Sequence, residues 1–400
     1  MSVTSPPRGD RAVLIPRRRP GYAGRIHGMQ LLVVEFAIFG SLAAFGYRVL
    51  AGAGAAIVAA AVIVATLARW RGRWLVERRL LVWRYRRRRR LVRAAGPATA
   101  TLSVLRRLSP DLRVQDVPVP GGVRVGVARD DAGWFAAATV APEVMAPQHA
   151  RVPLELLAAS IAEADQAGAV IQLVIQTVPR SAPSTMSPAE QSYQDLLAAL
   201  GQAPLAADQT TTVVVRIDAR SLAEAIGDYH ADLSTAPAVC ASLLRRVVTS
   251  LRQAGIAATM LDGTALVEVL ARSCDANPSA SAGTAAFQER WPTWRSAQLA
   301  QRTFWIRDWP AVRRAPALFD ALLAVPTATT AVSLVLDPDP RTGLVDLTAL
   351  VRVSAPPAEL DRTCRAMQRA ARGAKTGLFA LDGEQAPATY ASAPTGGGAR

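Results

Sequence analysis

Lysine is almost missing from this 400-residue chain: Lys375 stands alone among 46 basic residues, the rest being arginine. Together with abundant alanine, that bias reflects genome composition rather than function. Cysteine is scarce as well. Cys240, Cys274 and Cys364 are scattered, with no C-x-x-C and no neighbouring histidine, which excludes a readable zinc site or disulfide framework. Three lone thiols suit a reducing compartment. Of the three histidines, His27 lies in a basic stretch and His149 stands alone. His230 sits between Asp228 and Asp232, but no second ligand completes a metal spacing. No G-x-S-x-G, G-x-G-x-x-G or H-E-x-x-H occurs. The sequence therefore implies no catalytic constellation, no metal and no cofactor.

Charge is present but unevenly placed. The first 93 residues hold 19 arginines against Asp10, Glu35 and Glu77, while the other 307 residues are close to neutral. A net charge of +15 would ordinarily point to nucleic acid. Here the excess belongs to one short stretch, so an anionic lipid leaflet is the simpler partner and nucleic acid is not expected.

Between those arginines lie two apolar runs, 29–47 and 50–68, containing Glu35 as their only charge. Nineteen residues of helix come close to the ~30 Å of a hydrocarbon core. The flanking arginines would hold both termini in the cytosol. The expected fold class is membrane-anchored: a two-helix transmembrane hairpin followed by a mixed α/β (α+β) cytosolic domain, multi-pass in the inner membrane. Ala51-Gly52-Ala53 also fits a signal-peptide cleavage site, but the run is too long and a second one follows. Small residues recur at Gly40 and Ala44, and at Gly52, Ala56 and Ala60, a spacing that lets helices approach closely. They suit packing of the two helices on one another or on other membrane proteins. Glu35 is a functional suspect as a carboxylate within such a run.

From 69 to 95 arginine alternates with aromatics. Trp70, Trp74, Trp83 and Tyr85 are placed for the headgroup level, with Arg86, Arg87, Arg88, Arg89 and Arg90 on phosphates. A basic-aromatic helix continuing from the second run is the expectation. Residues 1–28 read as a disordered basic N-terminus and 384–400 as a disordered Pro/Gly/Ala tail.

The region 96–383 reads as one α/β domain. Strands and helices follow the order β-α-β-β-α-β from Ala300 to Leu381, the split βαβ arrangement. Trp134 to Leu261 has the same order if a short helix at Ala189–Leu200 is an insertion, giving possible halves at 120–286 and 287–383. Asp130-Asp131 reads as a hairpin turn. Asp337-Pro338-Asp339 resembles the carboxylate pair with which nucleotide-sugar glycosyltransferases hold a metal, yet its prolines and Gly343 fit a turn better. A membrane-anchored glycosyltransferase using Asp337 and Asp339 is the alternative reading. Arg372-Gly373-Ala374-Lys375-Thr376 lacks the glycine before lysine that a phosphate loop needs, and reads as a helix end.

Taken together, Gly72-Arg73-Trp74-Leu75, Trp83-Arg84-Tyr85 with five arginines, Val125-Gly126-Val127, Val214-Val215-Arg216-Ile217-Asp218, and Thr303-Phe304 leading to Trp309-Pro310 resemble the EccE component of actinobacterial type VII (ESX) secretion systems. The chain departs from that pattern in lacking a longer glycine-rich insertion near Ala231–Ala236. The resemblance implies a non-catalytic membrane-complex subunit with no active site to carry over. It implies assembly with EccB, EccC and EccD, where EccC supplies the ATPase, and no small-molecule substrate.

Overall fold

The computed structural model describes residues 14–16, 22–23, 26–47, 49–67, 69–70, 73–94, 101–141, 152–164, 166–178, 192, 208–226, 234–276, 287–296, 299–310, 314–339 and 342–397. The chain divides into two compact units, Arg18–Ala95 and a second made of Met1–Arg17 with Gly96–Arg400. His149, His230 and the expected helix at 189–200, save residue 192, lie outside the described residues.

A short strand β1 (Leu14–Pro16) belongs to the second unit. The first unit begins with a ribbon of β2 (Tyr22–Ala23) and β3 (Ile26–His27). Two apolar helices follow, α1 (Gly28–Tyr47) and α2 (Val49–Leu67). A second ribbon, β4 (Arg69–Trp70) with β5 (Arg73–Trp74), leads into the arginine-rich α3 (Leu75–Ala94). The expected basic helix therefore starts at Leu75. Trp70 and Trp74 stand in the ribbon before it.

Among the described residues, no helix is long and apolar enough to cross a membrane. This corrects the expected transmembrane hairpin at 29–47 and 50–68. That expectation rested on run length, and apolar runs of this length also make helices that simply pack on one another. On α1 the more sheltered positions are Val34, Ala37, Ser41 and Ala44; on α2 they are Ala55, Ala56, Ala59 and Ile63. Ser41 Oγ donates to the Ala37 carbonyl at 2.7 Å and lies 3.5 Å from that of Ala55. Among the small residues whose burial is described, Gly40 and Ala60 face outward, while Ala44 and Ala56 are partly sheltered. Phe36 remains 78% exposed.

The second unit is built on one large, almost wholly antiparallel sheet. It opens with α4 (Thr101–Leu105), β6 (Arg113–Val119), β7 (Val123–Asp130) and β8 (Gly133–Val140). Next come α5 (Leu154–Ala162), β9 (Ala169–Val178), β10 (Asp208–Asp218), α6 (Ala219–Ile226), α7 (Ala236–Gln253), β11 (Ala258–Met260) and α8 (Gly263–Cys274). The remainder is β12 (Gln288–Glu289), β13 (Trp294–Arg295), β14 (Ala300–Asp308), α9 (Ala315–Leu323), β15 (Thr329–Pro338), β16 (Val345–Ala355), α10 (Leu360–Gly373), β17 (Gly377–Ala380) and α11 (Gln385–Ser392).

The 13-stranded sheet runs β12-β13-β14-β16-β15-β9-β10-β8-β7-β6, with β1 parallel to β16, β11 beside β8 and β17 beside β14. Two sets of four strands share one pairing order: β11-β8-β10-β9 and β17-β14-β16-β15. Each is a split βαβ unit, and they join edge to edge through β9 and β15.

One face of the sheet is aliphatic. Ile171, Leu173, Val332, Leu334, Val351 and Val353 point to it and form one core with residues of α5, α7, α9 and α10. The other face carries Gln172, Arg216, Ser333 and Arg352 among its buried residues. Its apolar part, including Phe135, Ala137 and Val214, packs with residues of α4 and α8. The segment 385–397 also covers this face. That segment is not the expected disordered tail: α11 forms there and Tyr390, Thr395 and Ala393 are buried. Its alanines and glycines looked like a linker, but small residues are also what a closely seated segment requires.

Leu173 and Leu334 are a directly opposed pair at the β9–β15 junction, both 2% exposed. Truncating either to alanine is expected to cost about 2–5 kcal/mol, with a non-additive double mutant because the two share one cavity. Urea midpoints of the four proteins in that cycle check this.

Candidate interaction site

The polar face is organised by a charge inside an apolar strand. Residues 213–217 of β10 read Val-Val-Val-Arg-Ile, and alternation puts Val214 and Arg216 on the same face. Arg216 is 2% exposed. Its guanidinium forms a two-pronged ion pair with Asp130, Nη1 to Oδ2 at 3.1 Å and Nη2 to Oδ1. It also lies over the Phe135 ring, 5.7 Å from the centroid. Asp130 closes the β7–β8 hairpin, its Oδ1 accepting from the backbone N–H groups of Ala132 and Gly133 at 3.0 and 3.1 Å. Gly133, at φ +151°, sits where any Cβ would collide with the Ile217 carbonyl. The hairpin turn thus doubles as the anchor of a buried ion pair.

The C-terminal segment completes that pair. Tyr390 donates from its hydroxyl to Asp130 Oδ2 at 3.0 Å, and Arg216 Nη1 donates to the Thr395 carbonyl at 2.6 Å. Gln172 on β9 uses both ends of its amide. Nε2 donates to Ser333 Oγ at 2.7 Å and the Ala391 carbonyl at 2.9 Å, while Oε1 accepts from the Thr395 and Gly396 N–H groups. Further along, Gln385 Oε1 accepts from the Thr303 N–H at 2.9 Å, and Glu289 accepts from that of Ala386 at 3.2 Å. Burial, then the Asp130 charge, pushes the Tyr390 phenol well above its ordinary range. Burial likewise raises Asp131 beside the pair.

A second buried arginine lies on β16. Arg352 donates to Gln301 Oε1 at 3.2 Å and Ser273 Oγ at 2.8 Å, both neutral groups. Burial lowers its pKa. Cys274 is close by and buried, its thiol raised by desolvation despite that guanidinium. Cys240 is pushed up to about 12 and Cys364 to about 11, again by burial. These thiols are packing groups, not nucleophiles.

The sequence-selected residues fall elsewhere. Asp337 is next to last in β15, opposite Asp346, and Asp339 follows the strand, its carbonyl accepting from Gly343 N–H at 3.0 Å. Among the described residues, no three His, Cys, Asp or Glu side chains come together to hold a metal. Glu35 is exposed on α1. On α3, Arg87 stacks over Trp83 and Arg89 over Tyr85, at 5.7 and 5.5 Å, and Trp83 is 59% exposed. Arg86 and Arg90 are exposed, while Arg88 and Arg89 are partly covered. Sequence reasoning missed the Arg216–Asp130 pair and Arg352. Their signal was available: a lone arginine within an otherwise apolar strand demands a buried partner.

A protein-family comparison now bears on this unit. Residues 205–306 match the family described as "EccE: Putative type VII ESX secretion system translocon, EccE". The match covers about a quarter of the chain. It runs from the approach to β10 into β14, and so contains Arg216, Ser273, Cys274 and Gln301. Among curated proteins, no relative matches. One similar solved structure is the crystal structure of glycopeptide hexose oxidase DBV29 complexed with teicoplanin, at 10% identity and a TM-score of 0.27. The similarity covers 66% of this chain and 55% of that one, so the chain spans about half that protein's length. A score that low carries no argument about activity.

Replacing Arg216 by methionine leaves Asp130 buried without its cation and is expected to cost about 3–5 kcal/mol. Adding Asp130→Asn should recover much of the loss, as read by thermal denaturation. The thiols give a second check. With folded values near 11 and 12 against the unfolded value near 9, Cys240 and Cys364 favour the folded state fully below pH ~9. That contribution is lost as pH rises through the folded values. Alkylation at pH 8 should label neither thiol until denaturant is added.

Proposed function

We propose that this chain is a non-catalytic assembly subunit of the type VII (ESX) secretion machinery at the cell membrane. The observation that carries the reading is the EccE match over residues 205–306. Two features of the molecule favour it. The polar groups of the sheet's second face are engaged with one another and with the chain's own main chain, rather than converging on an open cleft. The main chains of Asp337 and Asp339 are paired across to β16 and the residues before it, Asp337 opposite Asp346 and Asp339 bonded to Leu344 and Gly343.

In this reading the chain assembles with EccB, EccC and EccD, with EccC as the motor. Helix α3 lies against anionic lipid of the inner leaflet. Its stacked pairs, Arg87 on Trp83 and Arg89 on Tyr85, hold aromatic surface and cation together, the combination an interfacial helix needs. Each arginine near such a surface contributes about 1 kcal/mol, less what salt screens.

Deletion of the chain should cut secretion of small helical-hairpin substrates and shrink the membrane complex on native gels. Replacing Arg86, Arg87, Arg88, Arg89 and Arg90 by glutamine should weaken binding to anionic vesicles and loosen assembly, whereas Asp337→Ala with Asp339→Ala should leave secretion unchanged. A free monomer on native gels, or loss of secretion in the aspartate variant, would overturn the reading.

A further inference from the structure

The two split βαβ units place equivalent helices on the aliphatic face, α7 in the first and α10 in the second. Each buries an apolar side in the core and leaves arginines outside. On α7 two of these are used within the fold: Arg252 donates to the Ala258 carbonyl at 3.1 and 2.7 Å, and Arg246 lies 4.0 Å from Glu163. On α10 the exposed cations are Arg362, Arg365, Arg369 and Arg372, and Asp361 is the helix's one acid. Arg362 reaches Glu359 at 3.7 Å, and Arg372 Nε donates to the Gln368 carbonyl of its own helix. Arg365 and Arg369 form no ion pair among the described residues.

Steps of three, four and three residues keep the four arginines on one side of α10, in a row about 15 Å long at ~1.5 Å of rise per residue. Lys375 adds another step of three. It sits just past the helix end at φ +57°, the left-handed position that glycine ordinarily takes. Its N–H bonds the Arg372 carbonyl and that of Thr376 bonds the Ala371 carbonyl, both at 2.9 Å. A glycine would fit there without strain and carry no charge. The helix dipole favours Arg372 and Lys375 at the C-terminal end, but it opposes Arg362 in the first turn and gives no reason for Arg365 and Arg369. Cations three and four residues apart also repel one another, which an acidic partner relieves.

The row's surroundings select among anionic partners. Leu360, Cys364, Met367 and Ala371 are buried in the core, so α10 keeps no apolar surface to enter a bilayer, in contrast to α3 with its exposed Trp83. It has no aromatic residue to stack on bases. Acids three and four apart on a second helix recur at the same ~4.5 and ~6 Å of rise, whereas same-face residues of a strand recur at about 6.6–6.8 Å. We infer that the exposed face of α10 docks an acidic helix of a partner protein, whose carboxylates pair with Arg362, Arg365, Arg369 and Arg372. Lys375 lies at the end of that contact.

Lys375 also supplies the test. It is the chain's one lysine, so its amine and the N-terminal amine are the primary amines that carbodiimide can join to a carboxylate. The probe is an N-acetylated, alanine-rich helical peptide with four glutamates at steps of three, four and three, offered to the full-length protein at low salt. A control peptide of the same composition has its glutamates spread around the helix. The expected result is an amide bond to Lys375, read by mass spectrometry, about tenfold more abundant than with the control and about tenfold less abundant in R362Q/R365Q/R369Q. The three substituted side chains are exposed, so the variant should keep the wild-type melting temperature, and the comparison of peptides needs no variant. Equal coupling of both peptides, or coupling undiminished in the variant, would mean that charge alone draws the peptide there, and overturns the docking face. Absence of coupling at Lys375 overturns it too. If phosphatidylglycerol vesicles or duplex DNA shield Lys375 from acetylation while neither peptide couples, the row belongs to lipid or nucleic acid and the inference falls. None of these outcomes depends on the secretion reading, which stands or falls on the native gel.

Discussion

Pairing of β9 with β15 is the constraint on which the sheet depends. Each split βαβ unit leaves its second strand at an edge, with a row of unpaired N–H and C=O groups. Joining these two edges antiparallel satisfies both and makes one sheet from two units. Like strands meeting in this way relate the units by an approximate two-fold axis. The opposed Leu173 and Leu334 mark it: Arg216 lies opposite Val170, three residues before Leu173, and Arg352 lies opposite Ala331, three before Leu334. The two buried arginines therefore occupy equivalent positions on equivalent third strands.

Equivalent positions are not equally compensated. Arg216 has a carboxylate, a phenol beyond it and a main-chain carbonyl, whereas Arg352 has an amide and a hydroxyl. A buried cation with neutral partners keeps more of its desolvation cost, consistent with the lowered Arg352 pKa. The chain's C-terminal segment departs from the two-fold relation, running from Thr303 on β14 across to Arg216 on β10. It turns a near-symmetric platform into one with a single occupied seam.

Much of this was legible in the sequence, and what was missed has physical reasons. The strands around Arg216 and Arg352 announce themselves by β-branched runs, and the turn at Asp130–Gly133 by its Asp and Gly. Apolar runs at 29–47 and 50–68 do form helices, but composition alone does not say what surrounds a helix, and the transmembrane reading failed there. The tail at 384–400 was misread because alanine and glycine serve linkers and tightly seated segments alike. Which of the two applies depends on the acceptor, and Gln172, Asp130 and Arg216 lie hundreds of residues away in the chain. The carboxylates that drew attention, Asp337 and Asp339, sat next to turn residues. The one that matters structurally, Asp130, was hidden in a turn of the same kind.

The acceptor capacity of Asp130 is taken up within the fold. One oxygen accepts from two backbone N–H groups and the guanidinium, and the other accepts from the guanidinium and Tyr390. Burial and the Asp130 charge keep the Tyr390 phenol protonated at neutral pH. The directed hydrogen bonds of Asp130, Gln172 and Tyr390 favour one arrangement of the segment over others. Charge placed in the interior of this sheet selects what may lie upon it.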